Sequence, residues 1–186
     1  MTLHGLLLAA GAGSRMGTPK ALVRDPDGTS WIRRTVGVLR DGGCGAVTVV
    51  LGASADEAVE LLADLDVHVV VAEGWAEGMA ASLRAGLTAL DETDASCAVI
   101  SLVDLPDVSA EVVRRVIATG AGTDRLARAT YDGRPGHPVL IGRDHWAGVL
   151  DSLAGDAGAR PYLDVHEVTG VECGDLATGR DRDSTG

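Results

Sequence analysis

Apolar runs of strand length alternate with segments of helical spacing through the first two thirds of the chain. Leu3–Ala9 (LHGLLLA) is almost continuously apolar and ends on glycines, the pattern of a strand buried on both faces. Behind Ser30 as a cap, Trp31, Ile32, Thr35, Val38 and Leu39 fall at helical spacing, and Gly42 and Gly43 stop the helix. Ala46–Gly52 predicts a second strand, and SADEAVELLADL predicts a helix capped by Ser54. Val67–Ala72 is a third strand, MAASLRAGLTALDE a helix, and Cys97–Asp104 a fourth strand. SAEVVRRVIATG is a helix capped by Ser109 and stopped by Gly120. Strict alternation of this kind builds a parallel sheet with right-handed crossovers. Beyond Gly120 the pattern changes. RLARATYDGRPGHPVLIG reads as two strands around a Gly/Pro turn, and DHWAGVLDSLAG and ARPYLDVH as short helices. From Glu167 the chain is extended, then glycine-rich and charged. The fold class is α/β, with a mostly parallel sheet and an irregular C-terminal part.

The first strand runs into a glycine loop, LLLAAGAGSRMGTPKAL, that narrowly misses two phosphate-binding fingerprints. Gly11, Gly13 and Gly17 are one residue too widely spaced for a dinucleotide turn, and Thr18-Pro19 separates Gly17 from Lys20 where a P-loop places them side by side. Pro19 removes a donor and disfavours helix at Thr18, so the loop is expected to stay open there. Taken alone, this is a glycine-rich turn. Its cations change that reading. Arg15 and Lys20 are charged residues in an otherwise uncharged loop, and Lys20 is the chain's one lysine among 16 Lys and Arg residues. An ammonium is a compact point charge suited to phosphate.

The 186 residues suit one domain with a real core, and 46% of them are hydrophobic. Aromatics make up 3%, with no Phe, so base-stacking platforms are scarce. A net charge of −11 disfavours nucleic-acid and anionic-membrane partners. Three cysteines, Cys44, Cys97 and Cys173, show no metal or disulfide spacing, which points to a reducing cytoplasm. No signal peptide or transmembrane-length run is apparent.

In open α/β sheets, ligands bind beyond the carboxyl ends of the strands. Three such ends carry chemistry here. The first offers the glycine loop. The third offers EGWAEGMAASL, where Gly78 allows close approach and Ser82 stands at a helix start. The fourth ends at Asp104, followed by Pro106, and a carboxylate beside a cationic loop suits a magnesium–nucleotide site. The bland alternative for Asp104, open equally to Asp107, is a turn or capping aspartate. Later, GRPGHPVLIG places His137 in a stiff turn, and GDAGARPYL places Asp156 and Arg160 near a helix start. His137 is ranked as a positioning group above a general base. Trp31, Trp75 and Trp146 read as packing, with Trp75 adjoining the site.

LAAGAGSRMGTPKAL resembles the signature of the MobA-like nucleotidyltransferases, particularly the molybdenum cofactor cytidylyltransferases. VVLGA, AEGWAEGMAASLRAGL, VDLPDV, GRPGHPVLIG and GDAGAR continue the resemblance in order along nearly the whole chain. The resemblance implies a three-layer Rossmann-like nucleotidyltransferase fold of the nucleoside-diphosphate-sugar transferase type. It implies one domain over residues 1–186, with a nucleotide-binding part at 1–120 and an acceptor-binding part at 121–186. It also implies transfer of a nucleoside monophosphate to a phosphorylated acceptor such as molybdopterin, with pyrophosphate released. Leu8, Ala9, Ala10, Gly11, Gly13, Gly78 and Ser82 would bind the nucleotide, with Arg15 and Lys20 on the triphosphate. Ala10 in LAAG points to CTP. Asp104 would hold Mg2+, and Asp183 best fits a second metal position, with Asp181 next. Ser82, Gly136, His137 and Arg160 would face the acceptor. A cytoplasmic enzyme in transient contact with a molybdenum enzyme or its chaperone follows. Leu105 and the DRDSTG end depart from the family pattern.

Three rivals remain. One is a nucleotidyltransferase using GTP or another triphosphate on a sugar phosphate or phosphorylated small acid. Another is a catalytically impaired, regulatory nucleotide-binding module. The third, an NAD-binding domain, is disfavoured by the glycine spacing and by the absence of an acidic ribose partner after AVTVVLG.

Overall fold

The computed structural model describes residues 2–182. Four strands, β1 (Thr2–Leu8), β2 (Ala46–Leu51), β3 (His68–Val71) and β4 (Ala95–Leu102), alternate with helices α1 (Trp31–Asp41), α2 (Ala55–Glu60) and α3 (Met79–Asp91). Helix α4 (Ala110–Ile117) leads into β5 (Leu126–Tyr131) and β6 (Arg134–Gly142), then α5 (Trp146–Ser152), α6 (Arg160–Leu163) and β7 (Thr169–Glu172). The seven strands form one sheet in the order β3-β2-β1-β4-β6-β5-β7. Strand β6 runs against its neighbours β4 and β5, and every other pairing is parallel.

Two apolar cores lie on the two faces. On one, Trp31, Ile32 and Leu39 of α1 and Val112, Val113 and Val116 of α4 cover Leu7, Val49 and Val99. On the other, Leu83, Leu87 and Leu90 of α3 and Trp146 cover Leu6, Ile100 and Val139. Residues one apart on a strand thus belong to different cores, as pleating requires. This is the three-layer α/β/α arrangement expected from the alternation.

Three local expectations are corrected. Ser30, Ser54 and Ser109 precede helices but make no side-chain capping bonds. Ser54 sits in the left-handed region at φ 52, and the Ser30 hydroxyl is buried without a partner. The helix after Ser54 closes at Glu60, because Leu61, Leu62 and Leu65 donate to residues three back rather than four. The turn between β5 and β6 falls at Asp132-Gly133, whose φ values of 52 and 75 suit a two-residue hairpin. Gly136 and His137 therefore lie inside β6, not in the turn itself.

Candidate active site

Parallel pairing sets Leu8, the last residue of β1, beside Leu102, the last residue of β4. The glycine loop and Asp104 consequently leave the sheet side by side. The ladder runs on past the strand: Ala9 N–H donates to Val50, Ala53 N–H to Ala10, and Val103 N–H to Leu8. Ala9 and Ala10 are buried and fixed by these bonds.

The loop itself is closed, where an open one was expected. Met16 N–H donates to Gly13 at 2.8 Å, and Lys20 N–H donates to Gly11 at 3.1 Å across the neck. Pro19 lacks a donor, but the next residue supplies one. Gly13 has φ +60, and any side chain there would collide with the Thr18 carbonyl. The closed loop hands Lys20 to the short helical turn Lys20–Leu22. From there its ammonium pairs directly with the Asp104 carboxylate, which is 4% exposed.

A cavity of about 570 Å³ opens over this pair. Leu8, Ala9, Ala10 and Gly11 form one wall, and Gly78 and Ser82 stand on the opposite one. Trp75 lines it too, as its position in sequence suggested. Gly13 and Arg15 border a neighbouring recess of about 420 Å³ that also touches Lys20. Gly136, His137 and Arg160 line a separate cavity of about 430 Å³. The two larger cavities share Leu8 and Met79 as a common wall. Ser82 lines the first of them and not the second, so it stands with the glycine loop, Lys20 and Asp104 rather than beside His137.

Two features go beyond the sequence reading: Asp156, placed there only near a helix start, and Arg128, not singled out at all. Asp156 lines both the first cavity and the Arg15 recess. It gets there because Gly155 accepts the Ala80 N–H at 2.9 Å, docking the 155–156 segment on the start of α3. Gly78, at φ +113, leaves the room: a side chain there would meet Asp156 and Gly155. The long stretch of chain between Ala80 and Gly155 hid the contact. The second is Arg128, which lines the 430 Å³ cavity.

Burial pushes the His137 imidazole down to about 4, while the Asp104 carboxylate pulls the other way. His137 is thus neutral near pH 7, and its carbonyl accepts the Tyr131 hydroxyl at 2.6 Å. That supports positioning over proton uptake at this residue.

The end of the described chain returns to the same place. Thr178 donates from both N–H and hydroxyl to Asp107 at 2.6 Å, which separates the two aspartates: Asp107 ties the tail and Asp104 faces the cavity. Arg182 N–H donates to the Asp104 carbonyl at 2.9 Å, and its guanidinium reaches Asp25 at 3.0 Å. Asp181 is exposed beside it, and Asp183 lies outside the described residues. Among the described residues no three His, Cys, Asp or Glu side chains gather as a ready metal cage. No helix among them is long and apolar enough to cross a membrane.

A mostly parallel sheet thus brings a glycine loop, a lysine and a buried carboxylate together at its strand ends. The chain belongs to the MobA-like NTP transferase domain family, whose model matches residues 5–170, and it is therefore an enzyme of nucleotidyltransferase type. It is 35% identical to a nicotine blue oxidoreductase of Paenarthrobacter nicotinovorans, over 97% of this chain and 91% of that protein. It is 30% identical to a probable molybdenum cofactor guanylyltransferase of Mycobacterium tuberculosis, over 85% of this chain and 76% of that protein. Among solved structures, Rv0371c of Mycobacterium tuberculosis superimposes with a TM-score of 0.82 at 30% identity, covering 99% of this chain and 94% of that one. The same protein solved with manganese gives 0.79 at 28% identity, covering 98% and 94%.

Proposed function

We propose that this enzyme moves CMP from CTP to a phosphorylated acceptor of the molybdopterin class, releasing pyrophosphate. The observation that carries the reading is the Lys20–Asp104 pair, set under one cavity that abuts another. The glycine loop, Arg15 and Lys20 bind the triphosphate in the first cavity. Gly136, His137 and Arg160 bind the acceptor in the second, across Leu8 and Met79.

Asp104 fits a divalent cation. It is a buried carboxylate facing a cavity, and magnesium is commonly held by one or two carboxylates plus substrate phosphates. The manganese complex of the relative supports metal dependence. Asp104 would hold the ion, with Asp183 or Asp181 proposed as a second carboxylate. Bound there, the metal neutralises charge on the transferring phosphate. Lys20 leaves Asp104 for the departing pyrophosphate, and Arg15 shares that load. The closed loop fixes the nucleotide by its backbone, so that positioning and charge neutralisation provide the rate. Neutral His137 orients the acceptor by hydrogen bonding without adding charge.

The choice of CTP rests on Ala10. Its methyl group stands in the wall of the nucleotide cavity, where glycine would leave more room for a purine. The mycobacterial relatives carry guanylyltransferase names, so the base is the sharpest point to test.

A second reading has one observation behind it: the nicotine blue oxidoreductase aligns over more of this chain than the guanylyltransferases do. In that reading the apolar second cavity takes a planar redox substrate. Against it, β2 ends at Leu51 and is followed by Gly-Ala-Ser, with no carboxylate at the strand end for a dinucleotide ribose. One pair of assays decides. Pyrophosphate release from CTP, magnesium and molybdopterin supports transfer. Oxidation of a nicotinamide donor by a quinoid dye, with no pyrophosphate formed from any nucleotide, overturns it.

A further inference from the structure

Along β5, Ala127, Ala129 and Tyr131 pack in the core under α1 and α4, and Leu126 packs in the opposite core. Arg128 therefore projects with Leu126 toward the α3 side. Register sets it opposite Val139 of β6, and Val139 opposite Ile100 of β4. A cation thus occupies a row whose neighbours are core aliphatics. It is half-buried and makes no hydrogen bond or ion pair to any described residue. The other guanidinium of this cavity, on Arg160, has Asp164 at 3.4 Å. His137 carries no charge near neutral pH. Taking a charge partly out of water without a partner is costly, and a ligand anion would offset that cost.

We propose that Arg128 is the anion anchor of the second cavity, and that the molecule bound there carries an anionic group on an apolar body. The walls supply the apolar half: Leu83, Ile100, Val139 and Leu163 line the same space. Ile100, in register with this row, lies inside β4, whereas Asp104 stands in the turn beyond the strand's last residue, Leu102. The anchored anion is accordingly at the end of the cavity remote from the reacting phosphate. The inference builds on the reading of this cavity as the acceptor side and adds a residue and a ligand class to it.

The test is a calorimetric titration of the full chain with 1-naphthyl phosphate and, separately, with neutral 1-naphthol, for the native protein and for Arg128→Met. The expected result is that naphthyl phosphate binds the native protein and loses at least tenfold in affinity in Arg128→Met, while naphthol is not weakened. Tm of Arg128→Met should hold or rise, because an unpartnered charge has been removed from an apolar row. Equal naphthyl phosphate affinity in both proteins, or no binding to the native protein, overturns the proposal. So does a Tm loss of several degrees, which would give Arg128 a structural role. CTP with magnesium, titrated in parallel, separates the two claims: failure of CTP to bind removes the nucleotidyltransferase reading, and the Arg128 result is still read from the naphthyl pair.

Discussion

The backbone N–H of Arg182 donates to the carbonyl of Asp104 at 2.9 Å. One hydrogen bond thereby returns the last described residues to the strand end that holds the buried carboxylate. The Arg182 side chain reinforces it through Asp25, which also accepts from Trp31 Nε1 at 2.9 Å and from Arg34 at 2.5 Å. The tail is latched at its far end to the loop and helix that follow Lys20.

Asp25→Asn should loosen this latch. Arg34 already has one buried nitrogen without a partner, so neutralising Asp25 leaves it more exposed to the cost of burial. A loss of about 2 kcal/mol is expected in urea denaturation. Transfer activity should fall several-fold while CTP affinity changes little. Unchanged activity in the folded variant would remove the latch from the account.

Gly78→Ala should be costly out of proportion to one methyl group. At φ +113 the added side chain is strained whatever the space, and here it also meets Asp156 and Gly155. A loss of about 2 kcal/mol or more is expected, with weaker nucleotide binding as residues 155–156 are pushed off α3. Thermal unfolding with and without CTP reads both effects.

Stability should decline on acidification. His137 is held down to about 4, and His4 is also lowered, by burial first and then by His68. Both imidazoles take up protons more readily in the unfolded chain, near 6.5. Their contribution is therefore full above pH 6.5 and is lost as pH falls below it, for His137 down to about 4. For His137 the loss is on the order of 3 kcal/mol by pH 4. His137→Gln should flatten the denaturation midpoint between pH 6.5 and 4.5; an unchanged slope would contradict the buried neutral imidazole.

Ala10→Gly should shift nucleotide preference. Removing the methyl group enlarges the cavity wall, so the ratio of kcat/KM for GTP to that for CTP should rise roughly tenfold or more, the scale of one methylene-sized change. A preference for GTP already present in the native enzyme would reverse the assignment of the base.

Much of this was legible in the sequence because it is local. The apolar run Leu3–Ala9 and the glycines after it place a strand and its loop within twenty residues, and Asp104 directly follows another apolar strand. The parallel sheet then brings Lys20 to Asp104. What was not legible depends on distant partners. Serine caps were expected at Ser30, Ser54 and Ser109, yet none of the three side chains bonds to its helix. Asp156 reaches the site through the docking of Gly155 on the Ala80 N–H, with Gly78 leaving the room. Arg128 left no signal: in LARATY it alternates with Ala127 and Ala129 as a solvent-facing residue would, and only the pairing with β6 and the cover beyond it make that face a cavity wall.

The central claim is that Lys20 and Asp104 form a metal–nucleotide centre. Its most direct test is calorimetric titration of CTP with magnesium into the native enzyme and into Lys20→Met. The account predicts one CTP bound per chain and an affinity at least tenfold weaker in the variant, with the fold retained. Equal affinity in both proteins, or no binding of CTP to the native enzyme, would contradict it.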